Sequence, residues 1–222
     1  MNVATIDIDT NHAALLIVDM QPDFMPGGTL PVTEGDQILP IIRDLMESDL
    51  FGVQVATQDW HPPHHTSFAS AHHGRKPFDK IMLHGHEQTL WPDHCVQDTT
   101  GATLHPSLPW HTVSAIIRKG MDPQGDSYSG FRNNWNAAGE RPETGLAGYL
   151  RARSVTQVYL CGLARDICVK WTAEDATREG FDTFYLWDAS RPVDPDSDEG
   201  VRKELSAMGV LLVTTAQLPA KH

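Results

Sequence analysis

The chain has 222 residues, the length of one large domain, and its 40% hydrophobic content excludes a disordered or fibrous protein. Twenty-nine acidic residues against 17 basic ones leave a net charge of −12, which repels a phosphate backbone. No nucleic-acid partner and no membrane partner is therefore expected.

The first predicted strand, 13–18, is also the longest apolar run, far short of the roughly 20 residues of a membrane span. Ahead of it stands MNVATIDIDT, with acids where a signal peptide carries a basic region, so a cytoplasmic chain is expected. A helix is predicted over 35–50 and a strand over 52–57. A connection of unusual length, 58–112, leads to a strand at 113–118, and a second, 119–142, leads to a helix at 143–153. The chain then alternates: strand 155–161, helix 166–180, strand 182–187, helix 195–208, strand 210–214. Continuous Val/Ile/Leu runs suit parallel strands covered on both faces, and their alternation with helices predicts right-handed crossovers. The expected fold is a single three-layer α/β/α domain, 1–222, on a six-stranded, mostly parallel sheet. Both long connections exceed the usual 2–6 residues of α/β loops, and such excess is usually functional.

Ten of the 12 histidines fall between His61 and His111. So many imidazoles in one segment point to metal ligation or proton transfer. The three cysteines, Cys95, Cys161 and Cys168, show neither an even count nor CxxC spacing, so a disulfide framework and a zinc finger are both poor readings.

In a doubly wound sheet ligands bind beyond the carboxyl ends of the strands. There the sequence delivers Asp19, Asp59-Trp-His61, Lys119 and, at the start of a helix, Cys168. Helix N–H groups and a nearby ammonium favour a thiolate, and a carboxylate can take the thiol proton. Cys168, Lys119 and Asp19 thus make a nucleophile, a stabilising cation and a base. Cys161 lies inside a strand and reads as packing. Asp59 and His61 alternate on an extended segment and can face the same way. A third metal donor must come from His64, His65, His72, His73, His84, His86 or His94, and spacing does not choose among them.

Leu16-Ile-Val-Asp-Met-Gln-Pro-Asp-Phe24, Thr57-Gln-Asp-Trp-His-Pro62, Trp91-Pro-Asp-His-Cys-Val-Gln97, Ser127-Tyr-Ser-Gly-Phe131 and Gly162-Leu-Ala-x-Asp-x-Cys-Val169 together resemble the nicotinamidase family of the isochorismatase-like hydrolases. The resemblance runs from about residue 13 to the C-terminus. It implies hydrolysis of nicotinamide, and of pyrazinamide, with Cys168 as nucleophile, Asp19 as base and Lys119 as stabilising cation. It further implies one divalent ion, Zn²⁺ before Fe²⁺ or Mn²⁺, on Asp59, His61 and His94, with His65 as an uncertain extra. Phe24, Trp91 and Tyr128 would line the ring pocket. Ala164 and Cys168 would supply the oxyanion-hole N–H groups, after a cis Leu163–Ala164 bond. Arg165 departs from the family's small residue and either projects to solvent or reaches the pocket mouth. The oligomeric state stays open, a homo-oligomer included.

Three alternatives compete. An amidohydrolase of the same superfamily acting on another small amide would usually lack the Asp/His metal set. The isochorismatase branch lacks the cysteine, and a silent scaffold would not retain every catalytic position.

Overall fold

A computed structural model describes residues 5–220. Their sheet holds β1 (Ala13–Val18), β2 (Val53–Asp59), β5 (Ala115–Lys119), β6 (Gln157–Leu163), β7 (Asp182–Arg191) and β8 (Leu211–Val213), in the order β5-β2-β1-β6-β7-β8. Every neighbouring pair is parallel. All six expected strands are present, and the sheet is wholly parallel. The connection 58–112 additionally contains an antiparallel hairpin, β3 (Lys80–Leu83) and β4 (His86–Thr89), which the sequence reading left as loop.

The two faces of β1 feed two cores. Ala13, Leu15 and Ile17 pack with Ile42, Leu45 and Met46 of α1 (Leu39–Met46) and with Trp91, Cys95 and Leu108 of the long connection. Ala14, Leu16 and Val18 pack with Leu146 and Leu150 of α2 (Leu146–Arg151), Ala173 and Ala176 of α3 (Lys170–Arg178), and Val201 and Leu205 of α4 (Asp198–Ala207). β1 is buried along its whole length, as its unbroken apolar sequence requires.

The helices start later than their sequence patterns. α1 begins at Leu39 because Pro40 has no N–H to give and fits only a first turn. Residues Arg165–Val169 wind as a wider π-helical turn ahead of α3, where a helix was expected from 166. Among the described residues, no helix is long and apolar enough to cross a membrane.

The sheet order has one reversal. From β1 the chain builds outward through β2 to β5, then returns to place β6 on the other side of β1. The carboxyl ends of β1 and β6 therefore flank the switch point, where a crevice forms. Val18 pairs with Gly162 there, and Asp59 pairs with Lys119 on the neighbouring strands.

Candidate active site

Asp19 follows β1 directly and takes a left-handed backbone conformation, φ 47°, which turns its carboxylate back toward β2. The Thr57 hydroxyl donates to Asp19 Oδ1 at 2.6 Å and accepts from the Asp19 N–H at 3.2 Å. Lys119, at the end of β5, is fully buried and reaches three carboxyl and sulfur groups. Its Nζ lies 2.8 Å from Asp19 Oδ2, 2.5 Å from Asp59 Oδ1 and 3.4 Å from Cys168 Sγ, and it also donates to the Ser127 carbonyl at 3.1 Å. The Cys168 sulfur and one oxygen each of Asp19 and Asp59 lie within 4.8 Å of one another. The three residues predicted as a triad are brought together.

Burial and charge pull these groups in opposite directions. Burial works against the Lys119 cation, but Asp19 and Asp59 outweigh it and hold the ammonium well above its ordinary pKa. Burial also works against the Asp59 carboxylate, yet Lys119 and His61 keep it well below the ordinary range. At Asp19 burial wins over Lys119 and raises the pKa, which makes it a better proton acceptor than a solvated carboxylate. Burial likewise pushes the Cys168 thiol well up despite the nearby ammonium. The expectation of a thiolate at a helix N-terminus is thereby corrected. Cys168 sits fourth in the π-helical turn, buried beside the Asp19 carboxylate that can take its proton.

Asp59 joins this cluster to a second one. Its other oxygen, Oδ2, stands 3.4 Å from His61 Nε2 and 3.6 Å from His94 Nε2. His61 Nδ1 faces the Gly120 carbonyl at 3.0 Å and His94 Nδ1 the Pro92 carbonyl at 2.8 Å. A carbonyl only accepts, so each Nδ1 carries a proton, and Nε2, turned toward Asp59, is the nitrogen of each ring that could ligate an ion. One carboxylate and two imidazoles, all buried, form a donor set suited to a divalent ion. Gly120 is required beside it, since a Cβ there would occupy the His61 ring. His65 is committed elsewhere: Nδ1 accepts from Ser67 at 2.7 Å, and Nε2 donates to the Asp122 carbonyl at 2.8 Å. Its ring lies tilted against His61, with centroids 4.4 Å apart, and it offers no free lone pair to the same ion.

A pocket lies between the clusters, with Cys168, His94, Asp59 and Ala164 on its walls. Phe24, Trp91 and Tyr128 line it as expected, and Leu30, Ile167 and Val193 add apolar walls that the sequence reading missed. The Tyr128 hydroxyl accepts from Trp91 Nε1 at 3.2 Å and from Gln88 Nε2 at 2.9 Å, fixing the two rings edge to face. Asp126, also missed, is buried at the same wall and accepts from Gln88 at 2.7 Å. Gln21 is a further missed residue: it exchanges two 2.8 Å hydrogen bonds with the Asp59 backbone and holds the end of β2 against β1. The Leu163–Ala164 bond is cis. Cys95 and Cys161 are buried and unpaired, and neither is in a donor cluster. Arg165 neither projects to solvent nor lines the pocket; it is 5% exposed and turned inward against β7.

Comparisons with known proteins agree with this geometry. The family model of the isochorismatase domain matches residues 13–217. The nicotinamidase of Acinetobacter baylyi is 44% identical over 209 residues, covering 94% of this chain and 95% of that one. The crystal structure of the yeast nicotinamidase bound to the inhibitor nicotinaldehyde superposes with a TM-score of 0.85 at 33% identity, covering 91% of this chain and 100% of that one. The pyrazinamidase of Pyrococcus horikoshii in complex with zinc superposes with a TM-score of 0.73 at 38% identity, covering 91% and 99%.

Proposed function

Because the chain belongs to the isochorismatase domain family and, within it, to the nicotinamidases, we propose that it hydrolyses nicotinamide to nicotinate and ammonia at Cys168. The observation that carries this reading is the meeting of Asp19 and Cys168 around the Lys119 ammonium, beside a pocket lined by Phe24, Trp91 and Tyr128.

Asp19 takes the Cys168 proton as sulfur attacks the carboxamide carbon, so that the S–C bond forms and charge collects on the carbonyl oxygen. The N–H groups of Ala164 and Cys168 receive that oxygen. Asp19 then passes the proton to the amide nitrogen, the C–N bond breaks and ammonia leaves. A water, deprotonated by the same carboxylate, cleaves the thioester and frees nicotinate and the thiol. Lys119 stays cationic throughout. It offsets the charge on Asp19 and on the passing thiolate, and so keeps two buried carboxylates from repelling the step.

Asp59, His61 and His94 would hold one divalent ion, Zn²⁺ in first place and Fe²⁺ or Mn²⁺ after it, and when bound that ion supplies a Lewis-acid position for the pyridine nitrogen. Phe24, Trp91 and Tyr128 confine the ring to a flat slot, and orientation of this kind contributes several kcal/mol to well-positioned reactions. Ammonia release from nicotinamide, pyrazinamide and benzamide at matched concentrations tests the reading. Pyrazinamide keeps the ring nitrogen and should be turned over, whereas benzamide lacks it and should lose about a hundredfold in kcat/KM. Benzamide hydrolysed as fast as nicotinamide would contradict the assigned role of the donor set.

A further inference from the structure

Arg165 is the least expected residue of the nucleophile turn. A guanidinium is rarely buried unless its donors find partners, and here four of its five N–H groups are engaged. Nη1 lies 2.6 Å from Asp198 Oδ2, Nη2 donates to the Ser190 carbonyl at 2.6 Å and the Trp187 carbonyl at 3.0 Å, and Nε donates to Ser190 Oγ at 3.1 Å. The guanidinium also lies over the Trp187 ring, 4.3 Å from its centroid. These partners come from the end of β7 and the first turn of α4, so one side chain joins the turn to two elements. The Arg165 backbone is held as well, its carbonyl accepting from the Tyr185 hydroxyl at 2.6 Å.

The turn itself lacks a local support. Its N-cap is Ala164, which has no side chain to bond the exposed N–H groups. Asp166 does not supply that cap; it accepts instead from the backbone N–H groups of Val193 and Asp194, at 2.9 Å each. Successive side chains therefore fasten the turn to the segment that provides the pocket wall Val193, and the turn carries both Ala164 and Cys168.

We propose that Arg165 is a positioning residue, clamping the 164–168 turn onto β7 and α4 so that the Cys168 sulfur and the Ala164 amide keep their mutual placement through the reaction. The inference rests on Cys168 being the nucleophile. A lysine would not replace the guanidinium, because a compact ammonium lacks the planar fork that spans Asp198, the Ser190 and Trp187 carbonyls and Ser190 Oγ together.

Arg165→Met, Arg165→Lys and Asp198→Asn, compared at equal folded concentration, test the clamp. For nicotinamide, Arg165→Met should lower kcat at least tenfold with KM within threefold. Arg165→Lys should recover only part of the loss, and Asp198→Asn should lose less. Nicotinaldehyde adds the thiol S–H across its carbonyl, forming an S–C bond and a hydroxyl, so its affinity reports the same geometry and should weaken in step with kcat. Unchanged kcat in Arg165→Met, or lost kcat with unchanged nicotinaldehyde affinity, would overturn the proposal. Should Arg165→Met fail to fold, wild-type kcat in both other variants overturns it equally. Hydrogen exchange at amides 164–169 decides the clamp without turnover: it should be at least tenfold faster in Arg165→Lys, and an unchanged rate refutes the clamp. Ammonia release by the unsubstituted enzyme, measured alongside, reports separately on the reaction assigned to the site.

Discussion

Asp59 is the residue through which the two halves of the site communicate. One oxygen pairs with Lys119 and the other faces the two imidazoles, so its loss would leave the buried ammonium with Asp19 as its one carboxylate partner and the donor set incomplete. The imidazoles differ in what each can give. His94→Ala should reduce bound divalent metal at least tenfold, while His65→Ala should retain a full complement, since both His65 nitrogens are already engaged. Elemental analysis of the two purified variants checks this, and a fully loaded His94→Ala protein would show that the third donor lies elsewhere. Asp19, Asp59, His61, Lys119 and Cys168 were legible because each stands at or just past a strand end. His94 was not: its partner Asp59 is 35 positions away, and only the resemblance singled it out from six other histidines. Gln21, Gln88 and Asp126 gave no signal at all, because amide and carboxylate side chains that bond distant residues follow no local spacing.

At the scale of elements, β1 and β6 approach closely where Val18 pairs with Gly162. Gly162 has φ 115°, and a Cβ there would fall on the Val18 carbonyl. Gly162→Ala combines a disfavoured backbone with a clash against a strand that cannot move. It should cost about 3 kcal/mol, lowering Tm by roughly 6–12 °C. A Tm within 2 °C (about half a kcal/mol) of the unsubstituted chain would refute that packing.

A second prediction concerns the junction of α2, α3 and the connection 119–142. Glu179 accepts from Arg132 at 2.6 Å and from Arg151 at 2.8 Å, and these bonds, Arg132 first, hold its pKa below the ordinary 4.5. A lowered folded pKa gives stability that is present above the unfolded value and lost as pH falls through the folded one. The Tm difference between the unsubstituted chain and Glu179→Gln should therefore be full at neutral pH and shrink below 4.5. A difference that stays constant in acid would contradict the ion pairs. The strands were legible from their apolar runs. The β3–β4 hairpin was not, since both strands are short and largely exposed and so carry no hydrophobic period. The π-helical turn was read as helix because one added residue per turn leaves the one-face pattern nearly intact.

Over the whole molecule, the parallel order β5-β2-β1-β6-β7-β8 brings the carboxyl ends of four strands to one edge and sets its reversal between β1 and β6. Asp19 and Cys168 emerge on either side of that reversal, and β2 and β5 deliver Asp59 and Lys119 in register beside them. The long connection then closes the crevice with Trp91 and His94, so a segment without regular periodicity supplies both a pocket wall and a candidate metal donor. Its excess length marked it as functional in advance, but its path did not follow from sequence, because it is held by scattered polar bonds more than by apolar stripes. The central claim is that the fold exists to place one buried thiol against one aromatic amide. Parallel quantification of ammonia and nicotinate formed from nicotinamide, by the unsubstituted chain and by Cys168→Ala, tests it most directly. The account predicts equimolar products from the first and a loss of at least a thousandfold in the second, with fold and metal content unchanged. Turnover by Cys168→Ala within tenfold of the unsubstituted chain would contradict it.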